Sequence, residues 1–431
     1  MKYLHFFKTV LVCMMLNAVL ATVCIAQDIL IQNARIIDGS ASSDTLNDVL
    51  LKDGKIIGLG SGLARGDVAT VIDAQGKPLT VGFFNAETQL GLVEVGAVSQ
   101  TVDSRSENSS ISASLRASDA INPSSVLFAY NRSLGVSHAL VQPASGSSLF
   151  AGSAAVIKLV DDALIRDRAA MVVSLGEQGS ELAGGSRAAA MGLLREALED
   201  ARDYADNTSS YERGARRSYT LSRHDLEALV PVVQRRLPLL VHIERAADII
   251  KILDFAEQQK VTLILSGVSE GWRVADKIAA ANVPVIFDPI YNLPSSYETL
   301  GARLDNAKLM HEAGVQMMFT GMSWQNTHNA HLVRQSAGNA VANGLQYEAA
   351  IEALTTTPAK IFGIEDYGRI EIGSKSSLVL WSGDPLEVTS EPDMVIVDGE
   401  IQTLVSRASR LRDRYYELIK ASINESAEEA K

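Results

Sequence analysis

Five short apolar runs punctuate the middle of the chain, and four of them lead directly into a stretch with helical spacing. "AAMVVSLGE" precedes a helical stretch from Arg187 to Tyr204, and "LPLLVHIE" precedes "RAADIIKILDFAEQQK". "VTLILSG" precedes "EGWRVADKIAAAN", "VPVIFDP" comes next, and "VQMMFTG" precedes "HNAHLVRQSAGNAVANG". The runs are continuous rather than alternating, which is the pattern of strands covered on both faces. In the second helical stretch Ile249, Ile252, Leu253 and Ala256 fall on one face. Repeated strand-then-helix units predict a parallel sheet, either closed into a barrel or open and doubly wound. No Gly-x-Gly-x-x-Gly or Gly-x-x-x-x-Gly-Lys-Ser/Thr loop follows these strands, so a nucleotide site has no support.

The two ends of the chain read differently. "ILIQNARIIDG", "DVLLKDGKIIGLG" and "ATVIDAQGKPLTVGF" are short strands, and Asp38-Gly39 and Asp53-Gly54 are hairpin signals between them. Similar material returns in "SSLVLWSGDP" and "DMVIVDGEIQTLV". One small β-domain built from both ends, with the larger α/β domain inserted, is the simplest arrangement. Between them "SQTVDSRSENSSISAS" (Ser99 to Ser114) is polar and reads as an exposed loop. "RASRLRDRYYELIKASI" reads as an amphipathic helix and "NESAEEAK" as a solvated, disordered acidic tail.

The start of the chain stands apart. Lys2 and Lys8 flank an apolar core from Val10 to Val23, and Cys24 and Ala26 supply small residues before Gln27. This is the pattern of a cleaved signal peptide over residues 1–26, which predicts a periplasmic or secreted protein. A retained anchor and a lipoprotein site at Cys24 are the alternatives; the apolar run is short of the ~20 residues a span needs. Both cysteines, Cys13 and Cys24, lie inside this segment, so the mature chain has neither a disulfide nor a thiolate nucleophile or ligand. With 39 Lys plus Arg against 51 acidic residues the net charge is -12, and no basic stripe recommends nucleic acid as a partner.

The order of these parts resembles the amidohydrolase superfamily, and within it the imidazolonepropionase-like amidohydrolases. "LTVGFFNAETQLG" is similar to the first barrel strand, where that family usually carries Pro-Gly-x-x-Asp-x-His-x-His. "LTTTPAKIFGIEDYGRIEIGSKSSLVLWSGDP" is similar to its closing signature. The resemblance implies a (β/α)8 TIM-type barrel over residues 81–362 and a small β-sandwich from residues 27–80 and 363–405, with a C-terminal helix and tail over 406–431. It implies a hydrolase of carbon–nitrogen bonds, in non-peptide or cyclic amides, with one or two divalent metals at the barrel mouth activating water.

Position by position, the resemblance places the strand-1 ligand pair on Glu87 and Gln89. The strand-4 lysine position falls near Val172, strand 5 keeps His242, strand 6 offers Ser266, and strand 8 has Thr320 and Gly321 where an aspartate is usual. Residues i and i+2 of a strand share a face, so Glu87 and Gln89 are expected to point together into the mouth. Zinc takes about three protein ligands rich in imidazole, whereas Glu87 with His242 supplies two, a set closer to Mg²⁺ or Mn²⁺ completed by water. The cofactor expectation is therefore open among none and a divalent metal (Zn, Mn or Mg). His328 and His331, three apart, are candidate relocated ligands on one helical face. His242 reads equally as a general base, with Glu244 near it, or as a hydrogen-bonded pocket residue. Asp288 ends "VPVIFDP" and either faces the mouth or caps the next turn.

Trp272 and Trp324 follow strands 6 and 8 as pocket walls or core residues. Ser145, Ser147 and Ser148 read as a small-residue loop. Two function classes result: an exported carbon–nitrogen hydrolase with an altered metal site, or a non-catalytic barrel binding a small molecule or a protein partner. Metal-free hydrolysis by His242 with Glu87 has the least support. The mature chain is expected to lack a membrane span, and the oligomeric state is open.

Overall fold

The computed structural model describes residues 28–39, 45–291, 294–321 and 327–429. The leader with both cysteines, and Trp324, lie outside the described residues.

Among the described residues, two eight-stranded sheets organise the protein. The first joins both ends of the chain: β1 (Ile29–Ile37), β2 (Leu46–Lys52), β3 (Lys55–Gly60), β4 (Thr70–Asp73) and β5 (Pro78–Val81). The barrel sheet comprises β6 (Phe83–Thr88), β7 (Val136–Val141), β8 (Phe150–Lys158), β9 (Leu164–Ser174), β10 (Leu239–Ile243), β11 (Leu263–Gly267), β12 (Val285–Phe287) and β13 (Met317–Phe319). The chain then returns to the first sheet with β14 (Leu378–Trp381), β15 (Pro392–Val397) and β16 (Glu400–Gln402).

The first sheet runs β16-β15-β14-β5-β1-β2-β3, with β4 branching from β1. Its strands form one sheet rather than two separate layers. The Ile56 N–H donates to the Ser374 carbonyl at 2.9 Å, so β3 also meets the segment leading into β14 and the sheet curls back. Asp53-Gly54 makes the tight turn between β2 and β3, with φ of 49° and 74°. Asp398-Gly399 repeats the device between β15 and β16, at 50° and 83°. Both fit the two-residue hairpin turn that needs two left-handed residues. Asp38-Gly39 instead opens a longer connection into β2.

The barrel order is β6 through β13 in sequence, so neighbours in the chain are neighbours in space. Seven strands run parallel, and β8 runs antiparallel to both β7 and β9. The third barrel strand is thus reached by a short connection from β7 without the helix a parallel crossover requires. The sequence "FAGSAAVIK" is mostly small or apolar up to its final Lys158 and carries no mark of this reversal. Between β13 and β6 the seam is spanned by side chains: Thr320 Oγ1 donates within reach of Asn85 Oδ1 (3.1 Å) and the Glu87 carbonyl (2.8 Å). Asn85 Nδ2 in turn donates to the Ala330 carbonyl at 2.9 Å.

Strand periodicity separates two cores. Leu239, Val241, Leu263 and Leu265 face outward against helices such as Ala246–Gln259, through Ile249, Ile252 and Phe255. Phe84, Leu140, Val172, Leu240, Ile264 and Met318 fill the barrel interior and are continuous with the core of the first sheet. At that junction Phe84 stacks on Phe362 at 5.7 Å, and the His138 ring lies 4.0 Å from that of Tyr367. Burial of each such apolar side chain is worth ~1.5–3 kcal/mol, so the barrel is a packed core with one floor and one open mouth.

Other expectations fare variously. The helix from Arg187, capped by Ser186 Oγ, runs past Tyr204 to a kink at Asn207 (φ -130°, ψ 26°), and helix resumes beyond it as far as Glu212. The polar stretch Ser99 to Ser114 is not wholly exposed: Ser104, Ser112 and Ala113 are buried, because Asp225 Oδ1 accepts the Ser112 and Ser114 N–H groups at 3.0 and 2.8 Å. The acidic tail continues the C-terminal helix as far as Glu429 rather than leaving it. Among the described residues, no helix is long and apolar enough to cross a membrane.

Candidate functional site at the barrel mouth

Stepping two residues up from each inward core residue gives the mouth. Leu140 leads to Gln142, Val172 to Ser174, Leu240 to His242, Ile264 to Ser266, Ile286 to Asp288 and Met318 to Thr320. Register places His242 level with Ser174 on one side and Ser266 on the other. Period-two alternation within parallel strands therefore builds a polar layer directly on the apolar one. On β6 the register shifts between Asn85 and Thr88, which turns Glu87 into this layer.

The mouth is divided. One cavity of about 250 Å³ is lined by Glu87, His242, Glu244, Asp288, Glu298 and Arg303, with Phe287 and Tyr291 on its wall. A second of about 410 Å³ is lined by Gln89, Gln142, Ser145, Ser174 and Gln178 and again by Glu87 and His242. Those two shared residues form the neck between the lobes.

Each is held from the side. Ser266 Oγ donates to Glu87 Oε2 at 2.6 Å. His242 Nε2 lies 3.1 Å from Gln142 Oε1, and Gln142 Nε2 donates to the Ala86 carbonyl at 3.4 Å. An N–H on Nε2 is the arrangement that the Gln142 oxygen accepts. The strand-4 position level with the imidazole is Ser174, whose Oγ lies 2.9 Å from Ser145 Oγ.

The first lobe is acidic. Glu244 Oε2 accepts from both N and Oγ of Ser269, at 2.9 and 2.6 Å. Burial pushes its carboxyl up to about 7, and the charges of Glu298 and Glu87 add to that rise against the Ser269 bonds. Glu298 reaches in from the connection after β12; its Oε2 accepts from the Glu177 N–H (2.8 Å) and from Arg187 (3.2 Å). Burial raises this carboxyl also. Asp288 Oδ1 accepts from Ser336 Oγ at 2.9 Å and from the Ile290 N–H at 3.1 Å, so it both lines the mouth and caps the following turn.

Gly176 and Gly267 make room for two of these acids. Both have left-handed backbone, with φ of 66° and 92°. A Cβ on Gly176 would stand 2.6 Å from Glu298 Oε2, and one on Gly267 would collide with Glu244 Oε1.

Glu87, Gln89, His242 and Asp288 thus all border the mouth, while His328 and His331 do not meet there. His328 lies in a turn before the helix with Nε2 3.0 Å from the Glu94 carbonyl. His331 is buried, its Nδ1 3.0 Å from Asn131 Oδ1 and its ring edge-on to Tyr130 at 5.3 Å. The pair therefore does not share a helical face, because His328 precedes the single 3₁₀ turn Ala330–Leu332 that holds His331, and α-helix begins only at Val333. Trp272 lines neither cavity: its Nε1 donates to the Gly301 carbonyl at 2.8 Å, and its ring centroid lies 4.5 Å from the guanidinium of Arg303, which does line the smaller one. Ser148 Oγ accepts from the Phe150 N–H, a local turn contact. Gln142 and Ser174 were reachable from sequence as strand-terminal polar residues after apolar runs. Glu298 had no such signal, because it comes from an irregular segment.

The family model for the amidohydrolase family matches residues 169–405, more than half of the chain. The chain belongs to the amidohydrolase family. A curated relative, amidohydrolase tasK of Hapsidospora irregularis, is 22% identical over 403 residues, covering 83% of this chain. The chain spans only 40% of that relative's length. In three dimensions this amidohydrolase-family chain is similar to the crystal structure of an amidohydrolase from Thermotoga maritima MSB8. The TM-score is 0.78 at 24% identity, over 87% of this chain and 99% of that one. It is also similar to molinate hydrolase, with a TM-score of 0.54 at 17% identity over 88% and 95% of the two chains. At these identities the structural likeness is one of fold.

Proposed function

We propose that this amidohydrolase-family protein is exported and binds a small polar carbon–nitrogen compound, an amide or cyclic amide, in its barrel mouth, with the family's metal-centred hydrolysis altered or lost. The observation that carries the reading is the donor set. The ligand positions hold Glu87, Gln89, Ser174, His242, Ser266 and Thr320, a single imidazole among oxygen-bearing side chains, of which Ser266 bonds Glu87, His242 meets Gln142, Ser174 meets Ser145 and Thr320 donates to the Glu87 backbone carbonyl. Among the described residues no group of three or more His, Cys, Asp or Glu side chains is arranged to hold a metal ion. A catalytic zinc takes three protein ligands and an open position, which this set does not fit. A layer of hydroxyl, amide and carboxylate groups at the same height suits hydrogen bonding to an amide instead.

A second reading is favoured by Glu244. A carboxyl titrating near neutrality inside the mouth has the proton affinity of a general acid or base, so hydrolysis by the protein's own groups is the alternative outcome. The two are separated by purifying the protein without chelators, measuring Zn, Mn and Fe by elemental analysis, and assaying dipeptides and cyclic amides with and without added metal. Micromolar binding in calorimetry, substoichiometric metal and no turnover are expected. Stoichiometric metal that disappears with Glu87→Ala would refute the proposal, and turnover abolished by His242→Ala or Glu244→Gln would establish the second reading. The supporting feature for export is the leader-like segment; N-terminal sequencing of the mature protein tests it, and a chain that begins at Met1 refutes it.

A further inference from the structure

The helix Arg407–Glu429 begins just beyond Val405, where the match to the amidohydrolase family model ends. Its start is fixed: Ser406 is buried, and its Oγ accepts from the Ser409 N–H at 3.2 Å. Farther along, its apolar side chains are uncovered. Leu411, Tyr415, Tyr416, Leu418 and Ile419 are 39% to 64% exposed, although all five are large. Leu411, Tyr415, Leu418 and Ile419 are spaced i, i+4, i+7 and i+8, which sets them on one helical face. The helix lies beside Val126–Arg132 without covering this stripe, and Val126 is itself 50% exposed. Apolar side chains exposed singly are ordinary, but a contiguous stripe marks a surface of contact.

Charge along the same helix runs against its dipole. Residues 407–416 carry Arg407, Arg410, Arg412 and Arg414 against Asp413, a net charge of +3. Residues 417–429 carry four glutamates against Lys420, a net charge of -3. No acidic residue stands in the first turn and no basic one in the last. A helix favours the opposite distribution, so alone in water this one sets its charges against its own ends.

We propose that a second copy of the chain docks on this face, the two helices pairing antiparallel about a two-fold axis between Tyr415 and Leu418. Tyr415 then meets the partner's Leu418, and Leu411 extends the apolar seam on each side of the axis, in the manner of a short coiled coil.

Charge complementarity chooses this occupant. An antiparallel pair lays the basic half of each helix along the acidic half of the other, so both conflicts with the dipole are relieved together. A parallel pair would set like charges side by side. A partner or surface of one sign could satisfy only one half of the helix, and an anionic membrane would also repel a chain of net charge -12. A self-complementary stripe needs no second surface, as in an isologous dimer. The stripe is also no part of the barrel's own packing, since the family match ends before it. From Leu411 to Ile419 the seam spans about 2.5 helical turns, so the contact is small and reversible.

The test is sedimentation equilibrium of the full-length mature protein across a concentration series. A monomer–dimer equilibrium that weakens as salt is added is expected. Leu418→Glu should raise the dissociation constant at least tenfold without changing the melting temperature, because the side chain it replaces is exposed. Arg407→Glu with Arg410→Glu, and separately Glu425→Arg with Glu428→Arg, should each weaken self-association severalfold. An equimolar mixture of these two double variants should associate more tightly than either alone, because each supplies the sign the other lacks. A protein that stays monomeric, or a dimer indifferent to Leu418→Glu, overturns the proposal. A monomer that binds lipid vesicles through Leu418 overturns it also and assigns the stripe to a membrane surface. Double variants that self-associate as tightly as the parent overturn the antiparallel arrangement.

Discussion

His138 provides a quantitative test of how the barrel is joined to the first sheet. It is fully buried in β7, with Nδ1 2.7 Å from Ser137 Oγ and its ring against Tyr367. Burial lowers its pKa from 6.5 to about 3; Lys158 and Lys375 push the same way, and Asp398 opposes them. The folded protein thus keeps the imidazole neutral while the unfolded chain binds a proton as pH falls below 6.5. Stability from this residue is present above the unfolded value and is lost as pH falls toward the folded one. The slope is about 1.4 kcal/mol per pH unit, so moving from pH 7.5 to 5.0 costs about 2 kcal/mol. At pH 5.0 the result is insensitive to the folded value, because a group at about 3 is neutral there in the native state. His138→Gln keeps a hydrogen-bonding partner for Ser137 and cannot titrate. Urea unfolding of both proteins at the two pH values should show the parent losing about 2 kcal/mol more than the variant. His331, lowered by burial to about 4, contributes to both proteins and cancels. Equal acid losses, or a larger loss in the variant, would refute the account of a neutral buried imidazole at this junction.

Three further perturbations address other parts of the fold. Trp381 is fully buried, stacks on Phe83 at 5.4 Å and donates from Nε1 to Thr80 Oγ1; Trp381→Ala should cost ~3–5 kcal/mol in thermal or denaturant unfolding. Gly267→Ala should cost at least ~1–2 kcal/mol from left-handed backbone alone, and should also weaken amide-probe binding in calorimetry by displacing Glu244. Asp225→Ala removes the acceptor for two backbone N–H groups, so limited proteolysis should cut between residues 99 and 114 faster than in the parent, with a stability loss of ~2 kcal/mol or more.

Much of the barrel was legible because its strands are apolar on both faces, as β10 and β11 show. Once such a strand is recognised, period two decides which residues crown the interior, and His242 and Ser266, which the family resemblance placed, obey it. The rule was less informative at β6, where a register shift intervenes between Asn85 and Thr88. Glu87 reaches both lobes, whereas Gln89 lies beyond the strand's end and reaches one. The pairing of His328 with His331 failed because spacing implies a shared face only inside a helix, and this helix starts later. The direction of β8 was invisible, since small apolar residues fit either orientation of a buried strand.

By itself the chain's pattern of apolar runs determined that a largely parallel sheet would form, and the family's motifs in order determined which barrel it would be. Those properties are local or additive, written in periodicity and spacing. Only the tertiary structure decided that Glu298 would enter the mouth from a distant connection. It also decided that Gly176 and Gly267 would make way for carboxylates, and that Glu87 and His242 would stand between an acidic lobe and a neutral one. Charge and proton affinity at a site depend on distances between residues far apart in the chain, and folding alone sets those distances.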